Sequence, residues 1–306
     1  MDGLTRLAAN RVSRPRPIVA ALVGDLHCNS TVGLCPVDGV ELDDGGRYRP
    51  RPHGIQAWLW ANWLDYWQRV QRVAAVEGEM AGNGQPARVW VVLNGDLVEG
   101  LHHRSTQVIS ANLEVQHRIA MACLAIPAAL SPDRWFVIRG TEAHVAPSAQ
   151  HEEAIARELG AVVDPETGRS SWWHWVGEIN GTLVDVAHHG NMGRLPWTRG
   201  NLVGRTAAEL LFEAVRIGHR PPALAVRSHN HRRHDTGAGN APTRVMALPA
   251  WQMSTAFGHR VAPNSLPDIG GAIGVFRGPG DWSAEIVDYR PAQRAPWTEE
   301  VACLTR

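Results

Sequence analysis

Apolar and polar positions along the chain fall into blocks whose period switches between strand-like and helix-like. The stretch Pro17 to Gly24 is a short apolar run closed by Gly, which predicts a buried strand. Arg88 to Leu93, Trp135 to Ile138, Leu183 to Ala187 and Ala223 to Val226 read the same way, rich in Val and Ile and free of Pro. From Gly54 to Met80, Trp60, Trp63 and Trp67 recur at spacings of three and four, which predicts a helix with an aromatic stripe on its core side. Further helices are expected over Ser110 to Leu130, interrupted by Pro127, over His151 to Leu159, and over Arg205 to Ile217. In the last of these, Leu210, Leu211, Ala214 and Val215 form the apolar side. Short strands are expected near Arg244 to Leu248, Ala272 to Phe276 and Ala284 to Tyr289. Thr31 to His53, rich in Gly, Pro and Asp, reads as a long loop. Strand and helix alternate early and strands dominate late, so a mixed α/β layered fold follows. Residues 1–17 are polar, with Arg and Pro interspersed, and read as an arm. No boundary divides 18–306, which is expected to be one domain.

Composition narrows the class. The 306 residues are 44% hydrophobic and 20% charged, as in ordinary globular proteins. Net charge is zero, so no global basic field gathers nucleic acid, and a nucleic-acid partner is not favoured. All 30 basic residues are Arg, which fits a GC-rich coding bias and also supplies guanidinium forks suited to phosphate. Cys28, Cys35, Cys123 and Cys303 form no C-x-x-C pair, so neither a zinc knuckle nor a disulfide framework is indicated. The apolar run Ile18 to Val23 is too short for a signal-peptide core or a membrane span. A cytoplasmic protein with no membrane partner is the expectation.

The chemistry lies in five short segments, each following or ending an apolar run: Gly24 to His27, Asn94 to Asp96, Gly140 to His144, His188 to Gly190, and His229 to His231. Carboxylate and imidazole donors suit divalent metals. Asp25 with His27, and His229 with His231, stand at i and i+2, which in extended backbone points both side chains to one side. Asp96 follows a Gly that permits a sharp turn. His188 and His189 are adjacent, so on a strand only one of them would enter the site. Four segments of unlike spacing place Asp or His at the carboxyl end of an apolar strand, where ligands gather in open α/β sheets.

In this order the segments resemble those of the calcineurin-like metallophosphoesterases, over Asp25 to His231. More narrowly, Gly140 to His144, the adjacent His188 and His189, and Pro249 to Gln252 look like the phage- and prophage-encoded branch. The resemblance implies a sandwich of two mixed β-sheets flanked by helices and a site for two divalent ions, with Mn²⁺ favoured over Fe, Zn²⁺ or Ni²⁺. By position, Asp25, His27 and His231 would bind the first ion, Asp96 would bridge, and His189 and His229 would bind the second. His189 is preferred to His188 because it directly precedes the Gly. A hydroxide held between the ions would attack the phosphorus of a phosphomonoester or phosphodiester.

One segment departs from the family pattern. Thr141 stands where the family has a metal-binding Asn, and a neutral hydroxyl is a poor ligand. Glu142 is the candidate replacement ligand, with capping of the following segment as its alternative role. His144 is the candidate general acid or phosphoryl contact. Arg139, His103 and Trp251 are candidates for substrate binding: Arg139 for phosphate, His103 at the rim, and Trp251 for stacking a nucleobase, with structural packing the alternative for Arg139 and Trp251. The expected partner is a phosphate-ester substrate, a nucleotide among the candidates. A nuclease acting on DNA or RNA, or a non-catalytic scaffold on a degenerate phosphoesterase fold, are the competing readings.

Overall fold

The apolar run after Pro17 forms β1 (Ile18–Val23), buried over its whole length. Its side chains alternate between two cores: Val19, Ala21 and Val23 face a layer of helices, and Ile18, Ala20 and Leu22 face a second sheet. The structure, a computed structural model, describes residues 15–291 except 83, 103, 104, 146–148, 191, 194, 195, 238–240, 262, 264 and 265. The stretch expected as a loop over 31–53 carries a small hairpin, β2 (Val40–Glu41) with β3 (Arg47–Tyr48).

The tryptophan stripe is core. It lies on α1 (Ile55–Met80), which buries Trp60, Trp63, Tyr66 and Trp67. Next come β4 (Arg88–Asn94), α2 (Leu113–Ala128), β5 (Arg134–Ile138), α3 (Glu142–Val145) and α4 (Gln150–Glu158). Pro127 lies in the last turn of α2 and does not interrupt it. A proline deprives the carbonyl four residues earlier of its helical donor. That carbonyl, on Cys123, takes the indole N–H of Trp63 at 3.1 Å instead.

The chain continues through β6 (Ser171–Trp172), β7 (His174–Ile179), β8 (Thr182–Ala187), α5 (Arg199–Arg216), β9 (Leu224–Arg227), β10 (His234–Asp235), β11 (Arg244–Ala247), α6 (Ala256–Val261), β12 (Ile269–Gly278) and β13 (Asp281–Tyr289). α5 begins six residues before the expected Arg205, and its packed side runs through Val203, Ala207, Leu210 and, as expected, Ala214. Val215, expected on that side, is 67% exposed.

One sheet has six strands in the order β13-β12-β1-β4-β5-β6, and the other five in the order β10-β11-β9-β8-β7. β1, β4, β5 and β6 run parallel, as do β8, β9 and β11, while antiparallel pairs lie toward the edges. Between the sheets lie Trp90, Phe136, Trp175, Val186 and Phe276. α1, α2 and α4 cover the outer face of the first sheet, and α5 covers part of the second. This is the architecture expected: two mixed sheets flanked by helices. Cys28, Cys35 and Cys123 are buried and free, and Cys303 lies outside the described residues. Among the described residues no helix is long and apolar enough to cross a membrane.

Candidate functional site

Side chains just beyond the carboxyl ends of β1, β4, β8 and β9 converge. Asp25, His27 and His231 bring one ligand atom each within 4.8 Å of one another, and His188, His189 and His229 do the same. Asp25, Asp96 and His188 make a third such group joining the two, and His27, Glu99 and His144 a fourth beside them.

The backbone that achieves this is not extended. Asp25 (φ 52°), His27 (44°), Asp96 (52°), His229 (72°) and His231 (51°) all lie in the left-handed region. The convergence of Asp25 with His27, and of His229 with His231, therefore comes from tight left-handed turns and not from the alternation of a strand. Each such residue costs roughly 1–3 kcal/mol and persists only where its surroundings hold it. Here backbone bonds do so: Asp25 N–H donates to Gly95 O (2.9 Å), His27 N–H to Asp96 O (3.0 Å) and Trp251 N–H to Asp25 O (2.9 Å). Thr141 N–H donates to Asp96 Oδ1 (2.7 Å), and His229 N–H to Asp25 Oδ2 (3.0 Å). Close approach adds a second constraint. A Cβ on Gly95 (φ 81°) would sit 2.2 Å from His188 Nδ1, and one on Gly140 would sit 2.2 Å from Asp96 Oδ1.

Ring orientation is fixed from behind. His27 Nδ1 faces Glu99 Oε2 at 2.9 Å, which leaves Nε2 toward Asp25 and His231; the two Nε2 atoms of His27 and His231 are 3.1 Å apart. His188 Nδ1 donates to Asn94 O (2.7 Å) and turns Nε2 toward Asp96 Oδ2 (3.1 Å). His144 Nδ1 donates to Glu99 O (2.7 Å), so Nε2 is the ring's acceptor. Carboxylates and carbonyls in these positions set the tautomer of a ligating imidazole.

Neighbouring charges set the ionisation of the cluster. Burial opposes ionisation of Asp25 and Asp96, yet His231 and His188 beside Asp25, and His188 and His27 beside Asp96, hold both carboxyls below the usual range. Burial also opposes a charge on His188, but the Asp96 and Asp25 carboxylates outweigh it and favour the imidazolium. Glu99, despite burial, is held down to about 2 by His102 and His27. His144 is lowered to about 4 by burial and the neighbouring His27.

The structure places the other expected residues differently. Glu142 is exposed at the start of α3 and belongs to none of the convergent groups among the described residues. Glu99, three residues past Asp96, is an acid the sequence reading did not single out, and it groups with His27 and His144. Both His188 and His189 reach the second group, because β8 ends at Ala187 and strand alternation no longer applies; His188 is the buried one, and its Nε2 faces Asp96. Thr141 Oγ1 lies amid that group, 3.0 Å from His229 Nδ1 and 3.4 Å from Nε2 of His188 and of His189. Trp251 is fully buried against Trp63, Tyr66 and Tyr289, so it is core and not a stacking surface. Arg139 donates to Ser171 Oγ (2.9 Å), pairs with Glu153 and stacks on Trp173, so its fork is engaged away from the site. His103 lies outside the described residues.

Glu152 was not singled out by the sequence, where it reads as a first-turn helix acid. It is fully buried beneath the site and accepts Gly140 N–H (2.7 Å) and Leu97 N–H (3.4 Å), tying together the turns that follow Asp96 and β5. Burial and the Asp96 charge raise its pKa to about 8. The folded protein thus keeps a proton that the unfolded chain releases near the ordinary value of 4.5. Stability is expected to fall as pH rises across that window and to level off above it. In metal-free protein, Glu152→Gln should flatten this part of the stability curve, measured by urea unfolding at successive pH values. Parallel curves for the two proteins would refute a raised pKa at Glu152.

No family model matches the chain, and no curated protein matches it. Solved structures similar to it include vacuolar protein sorting 29 of Cryptosporidium parvum, at 11% identity over 90% of this chain and 100% of that one, with a TM-score of 0.36. A predicted phosphoesterase of Streptococcus pneumoniae is 10% identical over 89% and 98%, with a TM-score of 0.32. An archaeal phosphodiesterase is 8% identical over 88% and 99%, with a TM-score of 0.34.

Proposed function

We propose that this chain is a metal-dependent phosphoesterase of the calcineurin-like class, hydrolysing phosphomonoesters or phosphodiesters. One observation carries the reading. Asp25 Oδ1 is buried with no hydrogen-bond partner, yet Nε2 atoms of three histidines surround it, His231 at 3.4 Å and His27 and His188 at 4.0 Å. A buried, unpartnered carboxylate oxygen is costly unless a cation satisfies it. The donor set is all carboxylate and imidazole, which fits divalent ions such as Mn²⁺, Fe, Zn²⁺ or Ni²⁺. Asp25, His27 and His231 would hold one ion and His188, His189 and His229 the other, with Asp96 between them.

When bound, such a pair supplies a nucleophile at neutral pH and neutralises charge on the phosphoryl oxygens. The chain's own residues do the rest. Glu99 keeps His27 Nε2 aimed inward, and the Asn94 carbonyl does so for His188. His144, whose Nδ1 donates to the Glu99 carbonyl, lines the cavity and would contact the phosphoryl or departing oxygen. No side-chain nucleophile is needed.

Metal-stripped protein should turn over a chromogenic phosphodiester or its monoester only after Mn²⁺ is restored. The preferred ester would separate diesterase from phosphatase. Absence of turnover with Mn²⁺, Fe²⁺, Zn²⁺ and Ni²⁺, together with fewer than two bound ions per chain, would favour the scaffold reading.

A further inference from the structure

Four strands end the two sheets, and as edges they are unlike. β6 and β10 have two residues each, too short to offer a ladder to another chain. β13 carries Asp281, Glu285 and Asp288 and no basic residue, so a second copy laid against it would bring like charges together. β7 has neither defence. It is six residues long, contains no Pro or Lys, and runs in unbroken register against β8.

The hairpin fixes which backbone groups of β7 are free. β7 joins β8 through Asn180 and Gly181, both at positive φ (46° and 78°), a two-residue turn of type I′. Its flanking residues, Ile179 and Thr182, are then a hydrogen-bonded pair. Counting back along the strand, Gly177 and Trp175 also bond β8, while the N–H and C=O groups of His174, Val176 and Glu178 turn away from it. Among the described residues no other strand pairs with them. Val176 is also 49% exposed, the one large hydrophobic side chain of β7 that is. It opens onto a groove of about 500 Å³ whose wall mixes Leu183, Leu210 and Ile217 with Glu213, His219 and Arg220.

We infer that this chain pairs with a second copy of itself through β7, antiparallel about a two-fold axis at Val176, so that two five-stranded sheets become one. Three features choose a second copy as the occupant. The first is parity. Val176 has its backbone groups turned outward, so at the axis each Val176 N–H can donate to the other's C=O. The same register sets His174 opposite Glu178 of the partner subunit, again with outward groups on both, and each facing pair exchanges two backbone hydrogen bonds. The second is charge. His174 Nε2 lies 2.8 Å from Asp185 Oδ2, and Glu178 pairs with Arg220, so neither side chain is free to anchor a partner. Both reach the interface already paired, and the register sets no like charges opposite one another. The third is shape. A two-fold contact must match itself, and Val176 against Val176 buries the exposed apolar side chain and covers that end of the groove. β7 carries no residue of the convergent groups, so the inference stands apart from the phosphoesterase reading.

The test is sedimentation equilibrium of the full chain. At about 100 μM the native protein should sediment at twice the chain mass of 33.5 kDa, as micromolar self-affinity requires. Val176→Pro removes the outward N–H and leaves the bonds to β8 in place, a change that an edge strand tolerates. Every substitution enters a two-fold interface twice, so self-association should weaken at least about ten-fold. Val176→Asp, which sets carboxylates together at the axis, should do the same, and Val176→Thr should remain a dimer. Circular dichroism like that of the native protein would show that the variants keep their fold. A native monomer at this concentration, or a dimer that survives both Val176→Pro and Val176→Asp, would overturn the inference. Should the native monomer dimerise once residues 1–14 are removed, the edge belongs to that arm and not to a second copy.

Discussion

Asp96→Asn should lower ester hydrolysis roughly 10³-fold, at the upper end of what loss of a single charge-stabilising group costs. The metal-free variant should keep the native circular dichroism. The shape of the side chain is conserved, and its two contacts adapt. The oxygen of the substituted amide can still accept Thr141 N–H, which in the native protein lies 2.7 Å from Asp96 Oδ1. The amide nitrogen can donate to His188 Nε2 once that ring has lost its proton, which it does readily without the Asp96 carboxylate to favour the imidazolium. What vanishes is the negative charge between the two histidine groups. Bound metal, measured by elemental analysis, should fall below two ions per chain. A variant with full activity would remove Asp96 from the centre of the proposed site.

Gly140→Ala should disable the site by geometry alone. The new methyl would lie 2.2 Å from Asp96 Oδ1 and 2.3 Å from Asp96 N, and the latter is backbone that cannot swing away. Asp96 already holds a left-handed conformation (φ 52°), so little slack remains. Destabilisation of about 1–3 kcal/mol is expected in chemical denaturation. Metal affinity should drop by about 10–100-fold, as when groups supporting a ligand are disturbed. Gly204→Ala is the control: it lies within α5 with nothing within 4 Å of an added Cβ, and should stabilise slightly. Unchanged metal affinity in Gly140→Ala would mean that the Asp96 turn is looser than its packing implies.

Much of the fold was legible because burial imposes a pattern. β1 and β4, pressed between two layers, could only be continuous apolar runs, and α1 announced itself through Trp60, Trp63 and Trp67. β7 was not anticipated, since its buried Trp175 and Ile179 alternate with exposed and polar positions in too short a span. Helix ends were missed where packing overrides local signals, as at the start of α5. At the site, the residue types at strand ends were legible, whereas their backbone was not. Nothing in a sequence marks Asp25 or His231 as left-handed, because the hydrogen bonds that enforce it come from distant segments. Glu99 and Glu152 were invisible for a related reason. Each looks like an ordinary surface acid until the fold closes over it. Trp251 carried two readings, a stacking surface and core packing, and the structure takes the second, since Trp63 and Tyr66 claim its ring.

The convergent side chains are shared between the two halves of the sandwich. Asp25, His27 and Asp96 follow strands of the six-stranded sheet, while His188, His189, His229 and His231 follow strands of the five-stranded one. On the proposed reading, the two ions together make a clasp across the seam where the sheets meet. Chelation would unfasten that clasp as well as silence the chemistry, letting the sheets shear and the left-handed turns relax. Resistance of the protein to force or protease would then report how much metal it holds.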